Sequence, residues 1–374
     1  MKNNVEFAEI IRTFFLKKSY RILSIDKIRS GNINGTYLIE IDFGDTRNKY
    51  VLQQINSEVF HRPYDLMSNL NEAIKHFNYK VISMPYNQIS FCIPTYINSN
   101  GSKSLCQVEA IFWRLFHYIQ DSYSLEIIHT VEQAYSVGYS LHSFHGVFCD
   151  LPKNKLLKPI KDFHNTKQYL KTYYKLFNSV SFDNLNFSIR DRVLRANRTI
   201  IDNQELITEL DETLNSNKLT YMAIHGDPKV SNFLFDLKTD EVSAIIDLDT
   251  FYYGPALIDI ADCIRSICNP HGEDAKNLTL NFFDMSLFDA FLRGYFKRRK
   301  FILTKYDMLN ISLFMRIIIY ELGIRFLTDY LIGNKVFSIE YNTQNLKRSE
   351  VQFNTLLTIN ANLSEINKNI LRYI

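Results

Sequence analysis

Along this chain the spacing of apolar residues changes character once, about a third of the way in. The opening third holds short β-branched or aromatic runs parted by Gly and Asn, at Tyr20–Ile28, Tyr37–Phe43 and Lys49–Ile55. Runs of that length bounded by turn formers predict strands. Leu66, Leu70, Ile74 and Phe77 then recur at helical spacing and predict a helix over 64–82. Two more strand-like runs, Phe91–Ile97 and Ile111–Ile119, flank the turn-rich Asn98-Ser-Asn-Gly-Ser-Lys103. From Val131 onward the period is that of long amphipathic helices, over 131–147, 162–178, 188–215, 284–300, 306–332 and 344–370. Only 219–249 interrupts them with strands. The expectation is an α+β chain in two units. Residues 1–119 would form a small antiparallel sheet of five strands with one helix, and 120–374 a larger, mainly helical unit. A hinge is expected near Gln120-Asp121-Ser122.

Composition narrows the class. The 374 residues are 46% hydrophobic and 22% charged, enough apolar material for a large core. A formal net charge of +3, from 43 basic and 40 acidic residues, gives no field suited to nucleic acid or an anionic membrane. The basic run Lys297-Arg-Arg-Lys300 reads as a solvated helix end. Five cysteines without metal-type spacing (Cys92, Cys106, Cys149, Cys263, Cys268) read as buried thiols of a reducing compartment. The N-terminus has no apolar signal core, and the greasy segment Leu313–Leu327 is broken by Arg316, Glu321 and Arg325. A cytoplasmic protein is expected, with no signal for a particular oligomeric state.

The candidate chemistry lies in 219–249. An apolar run, Leu219–Ile224, stops at His225-Gly-Asp227, and Asn232 follows just before a second run, Phe233-Leu-Phe235. Leu237–Glu241 is a polar turn of hairpin length between Asn232–Asp236 and Val242–Asp247. Pairing across that turn is expected to set Asn232 opposite Asp247, with Asp227 in the loop projecting from the same end. Two oxygen ligands beside a free carboxylate suit magnesium, which leaves its other positions to water and phosphate. The free carboxylate, Asp227, could accept a hydroxyl proton. His225 reads as a structural residue that orients the loop. Asp259 and Asp262 begin a helix after the motif and read as cap or dipole partners.

These residues carry a resemblance. His225-Gly-Asp-Pro-Lys-Val-Ser-Asn232 is similar to the kinase catalytic loop H-R-D-x-x-x-x-N apart from its Gly, and Asp247-Leu-Asp249 stands where kinases have D-F-G. The Gly and the D-L-D form resemble the aminoglycoside and choline kinase superfamily, which implies a protein-kinase-like two-lobe fold. The resemblance makes Asp227 the base, Lys229 a contact of the transferred phosphoryl group, and Asn232 and Asp247 magnesium ligands assisted by Asp249. It implies ATP and Mg2+ as cofactors and a small-molecule hydroxyl acceptor as partner. Ser30–Thr36 is expected to cover the phosphates through Gly31, Asn32, Asn34, Gly35 and Thr36, although alone such a turn is equally a plain hairpin. Tyr118 and Gln120 would border the adenine at the hinge.

One position departs from the pattern. A kinase third strand carries a phosphate-gripping Lys, whereas Tyr50-Val-Leu-Gln-Gln-Ile55 offers Gln53. Either Lys49 or Arg62 substitutes, or phosphate binding is weakened, and a catalytically silent binding module is then a rival reading. A metal-dependent hydrolase using the same acids is a further rival. Tyr50–Phe60, Asp65–Asn69, Gly323–Leu331 and Gln344–Phe353 resemble the N-acetylhexosamine 1-kinase group, which implies transfer to the anomeric hydroxyl of an amino sugar. Glu321, Arg325 and Asp329 fall on one helix face. They are either an acceptor wall, with Arg325 and Asp329 as contacts, or a surface salt ladder. Aminoglycosides and choline-like amino alcohols are alternative acceptors.

Overall fold

The computed structural model describes residues 4–16, 18–28, 33–83, 89–99, 103–181, 186–278, 282–297 and 303–374. A short antiparallel sheet opens the chain: β1 (Arg21–Ile28), β2 (Gly35–Asp42), β3 (Arg47–Ile55), β4 (Tyr96–Ile97), β5 (Cys106–Val108) and β6 (Ile111–His117). Its order is β1-β2-β3-β6-β4, with β5 also on β6. Successive side chains of a strand face opposite ways, and here the two faces have different partners. Tyr50 and Leu52 of β3, with Trp113 and Leu115 of β6, pack under an N-terminal helix α1 (Asn4–Arg12) through Phe7, Ile10 and Ile11. Val51, Gln53, Arg114 and Phe116 face the opposite way, into a cavity. The sequence pattern did not single out α1, whose nine residues give too short a period to stand out.

The expected run Phe91–Ile97 is corrected. Only Tyr96 and Ile97 pair with β6. Cys92 instead exchanges backbone bonds with Ser243 and Ile245 of the second unit, each 2.9 Å. Pro94 between them has no N–H to continue one ladder, so the strand divides between two.

Helix α2 (Pro63–Ser83) lies where the sheet meets the helices, and the helical lobe follows with α3 (Val131–Phe148), α4 (Thr166–Phe177), α5 (Phe187–Asp202), α6 (Leu206–Asn215), α7 (Ala256–Ile267), α8 (Met285–Tyr295), α9 (Lys305–Leu331), α10 (Gln344–Ala361) and α11 (Leu363–Leu371). Two expected helices are each broken at an asparagine. Asn203 and Asn362 turn their side-chain amides back onto the Thr199 and Thr358 carbonyls, at 2.9 and 2.8 Å, and so compete with the helix ladder. The central helix α9 is buried on most sides, packing on α10, α7 and α4. Its charges keep it from reading as a span, and among the described residues no helix is long and apolar enough to cross a membrane. The antiparallel sheet lobe and mainly helical lobe give the α+β, two-lobe architecture expected.

Strands interrupt the helices at the site, beginning with β8 (Tyr221–Ile224), β9 (Phe233–Asp236) and β10 (Val242–Ile245). A bulge between Val242 and Ala244 shifts the β9–β10 register by one. An unbroken ladder from the Val242–Phe235 pair would set Asn232 opposite Ile245; the bulge moves its partner to Ile246, whose N–H donates to the Asn232 carbonyl at 2.9 Å, one residue short of the expected Asp247. Asp247 follows in the left-handed region (φ 64°), which turns the chain at once toward β11 (Tyr252–Pro255) on β8. Short β7 (Ser122–Ser124), right after the expected hinge, joins the edge of β9.

Candidate active site

The loop after β8 is held from below. Asp259 of α7 is fully buried and accepts the backbone N–H of His225 and of Gly226, each at 2.8 Å. His145 and Tyr295 bond in series behind Asp259, at 3.1 and 2.8 Å. Gly226 has φ +86°, and a Cβ there would meet the Thr250 carbonyl at 2.5 Å, so glycine is required. His225 takes the Asp227 N–H on Nδ1 at 3.3 Å and donates from Nε2 to the Ile246 carbonyl at 2.9 Å. That neutral tautomer ties the loop to β10 and leaves His225 a structural part. From α9, the Glu321 carboxylate holds His164 at 3.0 Å, and His164 Nε2 bonds the Gly226 carbonyl at 2.9 Å.

On this frame Asp227, Lys229, Asn232 and Asp247 all line one cavity of about 350 Å³ between the lobes. Lys229 Nζ lies 3.7 Å from the Asp227 carboxylate. Burial pushes the Asp227 carboxyl up, an effect Lys229 opposes and Asp262 adds to. Burial, then the Asp249 charge, pushes Asp247 up to about 6. The Asp227 carboxylate holds the Lys229 ammonium firmly protonated. Asn232 gives its Nδ2 to the Asp227 carbonyl at 2.8 Å, leaving Oδ1 as the side-chain acceptor. The remaining walls are largely apolar, among them Ile28, Val51, Phe116, Ile119, Leu234 and Ile246.

The profile of the phosphotransferase enzyme family matches residues 24–307. The chain belongs to this family. Among solved structures, an aminopropanol kinase associated with a microcompartment aligns at TM-score 0.59 and 16% identity, over 97% of this chain and 99% of that one. Spectinomycin phosphotransferase, solved with ADP and spectinomycin, aligns at 0.58 and 14%, over 100% and 99%. Choline kinase from Cryptosporidium parvum aligns at 0.56 and 12%, over 98% of each chain. At such identities the likeness speaks for the fold, a sheet-rich lobe on a helical one.

Other residues singled out in this phosphotransferase fall in different places. Asn34, Thr36, Gln53 and Tyr118 line the cavity, whereas Gly35 and Gln120 do not. Gly31 and Asn32 lie outside the described residues. Asp249, expected to assist a metal, is instead engaged by Arg114 Nη2 and Asn34 Nδ2, each at 2.7 Å. Asp329, expected at the acceptor, accepts the N–H groups of Lys335, Val336 and Phe337 and the Asn345 amide, which secures the turn after α9. Glu321 faces His164 and Thr166, so neither an acceptor wall of three nor a salt ladder forms. Arg325 stacks over Phe163, Tyr169 and Phe337, its guanidinium 5.2–5.7 Å from the ring centres. Neither expected substitute cation reaches the cavity: Lys49 lies over Tyr118, and Arg62 pairs with Asp65. Arg114 does reach it. The only sign of it in the sequence was a charge inside the apolar run Phe112-Trp-Arg-Leu-Phe116.

Asn232 and Asp247 offer one amide oxygen and one carboxylate. Among the described residues no group of three or more His, Cys, Asp and Glu could enclose a metal by itself. An all-oxygen, incomplete donor set fits magnesium, which retains water and phosphate ligands.

Proposed function

We propose that this phosphotransferase moves the γ-phosphoryl group of ATP to the anomeric hydroxyl of an N-acetylhexosamine, giving a sugar 1-phosphate. The observation that carries a kinase reading is the convergence of Asp227, Lys229, Asn232 and Asp247 on one inter-lobe cavity. The amino sugar is favoured by the blocks 50–60, 323–331 and 344–353. Two of the similar solved structures are an aminopropanol kinase and a spectinomycin phosphotransferase, which keeps amino alcohols and aminoglycosides as alternative acceptors.

In this proposal residues 1–119 form the nucleotide lobe and 120–374 the lobe of the catalytic loop and acceptor. Asn34, Thr36 and Gln53 would border the phosphates, and Tyr118 the base at the apolar end. Asn232 and Asp247 would hold magnesium, which supplies charge neutralisation and orientation of the terminal phosphates. Asp227 accepts the acceptor's hydroxyl proton as attack proceeds, and its raised pKa brings it nearer the strength such a base needs. Lys229, fixed as a cation beside it, faces the negative charge on the transferred group. Arg325, within electrostatic reach of the His164–Glu321 pair that holds Gly226, would bound the acceptor side.

The test is ADP release from MgATP against a panel of N-acetylhexosamines, other sugars, aminoglycosides and amino alcohols, with 31P NMR of the product. Acceptor-dependent ADP and an anomeric phosphate resonance are expected with GlcNAc or GalNAc. Phosphate release independent of any acceptor would mark a hydrolase, and nucleotide binding without turnover a silent module.

A further inference from the structure

On the kinase reading above, we propose that Gln53 and Arg114 work as one unit, in which the buried guanidinium fixes the Gln53 carboxamide with its NH2 toward the phosphates of the bound nucleoside triphosphate. The two residues are direct partners across the β3–β6 ladder and share the cavity face. Arg114 is 1% exposed, and its Nε and Nη2 both donate to Gln53 Oε1, at 2.9 and 2.7 Å. Two converging N–H groups leave no doubt as to which end of the amide is the oxygen. The NH2 must point the other way, where its partner is Thr36 Oγ1 at a long 3.3 Å. Thr36 stands just beyond Asn34 on the rim of the same cavity. A phosphate oxygen arriving there would exchange that weak bond for a stronger one. The cation behind the amide polarises it and makes it a better donor.

Asp249 completes the unit. A buried guanidinium needs a carboxylate, and Asp249 supplies it while also holding Asn34, whose Oδ1 takes the Asn56 N–H at 3.0 Å. Among the described residues, Arg114 is the Lys or Arg that the sheet lobe contributes to the cavity, and Lys229 belongs to the opposite lobe. The arrangement also gives a physical reason for glutamine in the third strand. A lysine at 53 would set a second cation against Arg114 with one carboxylate between them.

The unit is a positioning device, so its test separates phosphate recognition from general support of the fold. Calorimetric Kd values for MgATP and for adenosine would be compared in wild type, Gln53→Glu, Gln53→Lys and the double variant Gln53→Lys/Arg114→Gln. Gln53→Glu keeps an acceptor for Arg114, so its melting temperature should hold while the phosphate donor is lost. MgATP affinity should fall about 10- to 100-fold, the worth of a hydrogen bond to a charged group, with adenosine affinity within about twofold. Gln53→Lys should weaken MgATP rather than tighten it, and the double variant, with one cation facing Asp249, should recover most of that loss. Equal losses for adenosine and MgATP, or tighter MgATP binding by Gln53→Lys alone, would overturn the proposal. A wild-type protein that binds adenosine but gains nothing from MgATP would overturn it too. Wild type without affinity for either ligand would instead bring down the kinase reading on which it stands.

Discussion

Asp227 and Asp247 are two aspartates twenty residues apart whose surroundings fit them to different tasks. Asp227 has an ammonium 3.7 Å away, while Asp247 faces the charges of Asp249 and Asp227 with less compensation. Asp227→Asn keeps the shape but cannot accept a proton. Its kcat should fall by about 10²- to 10⁴-fold, with MgATP affinity little changed, as single-turnover and binding measurements would reveal. For Asp247 the pH sign is definite. Its folded pKa, about 6, lies above the ordinary carboxylate value, so its contribution to stability is complete at low pH and is lost as pH rises through about 6. Asp247→Asn should therefore stabilise the ligand-free protein at pH 7.5 by on the order of 1 kcal/mol once solvent screening is allowed for, read out as a higher melting temperature. That gain should fade toward pH 4. With Asp247 as the proposed magnesium ligand, wild-type affinity for MgATP should weaken as pH drops below about 6, and the variant should be weak throughout. Calorimetric titrations from pH 5 to 8 would check both.

At the level of elements, the site is a loop suspended between helices. Asp259 of α7 pulls its backbone down, His225 ties it to β10, and His164 carries a bond from α9. Much of this was legible. The order and spacing of Asp227, Asn232 and Asp247 identified the loop and its hairpin, because two short strands joined by a tight turn also bring their far ends together. The one-residue bulge in β10 was not legible, since a register depends on how both strands pack on their neighbours. Gly226 makes the same point about tightness: its left-handed φ and the Thr250 carbonyl 2.5 Å from a would-be Cβ leave no room for substitution. Gly226→Ala should cost about 1–3 kcal/mol of stability and lower kcat further by displacing Asp227. Denaturant melts and initial rates would measure the two effects separately. The crossing of α3 and α8 is equally close, with a Cβ on Gly294 only 2.0 Å from the Tyr135 carbonyl.

Taken whole, the molecule has two main apolar cores on opposite sides of one sheet. The larger runs through the helical lobe and along α2, and the smaller is roofed by α1 around Trp113. Trp113 is the chain's single tryptophan, so its emission reports the smaller core, while far-UV circular dichroism reports the helices. A small core contributes less stability than a large one. Tryptophan emission should therefore shift red at lower denaturant than the dichroism at 222 nm changes, and MgATP should bring the two transitions together by binding across the lobes. Coincident transitions without ligand would mean that the lobes unfold as one.

The sequence by itself determined the two-part plan and the grouping of the loop's polar residues, because hydrophobic period and short-range motif spacing are local properties. It also marked Gln53 as out of pattern. Only the tertiary structure decided what answers it. Arg114 lies sixty-one positions from Gln53 and Asp249 a further 135 on, and they meet through strand pairing and the approach of two lobes. The same reason removed Asp329 from the acceptor side and gave Glu321 to His164. Three residues on one helix face share a direction, but the partner each meets is set by whichever distant segment packs there.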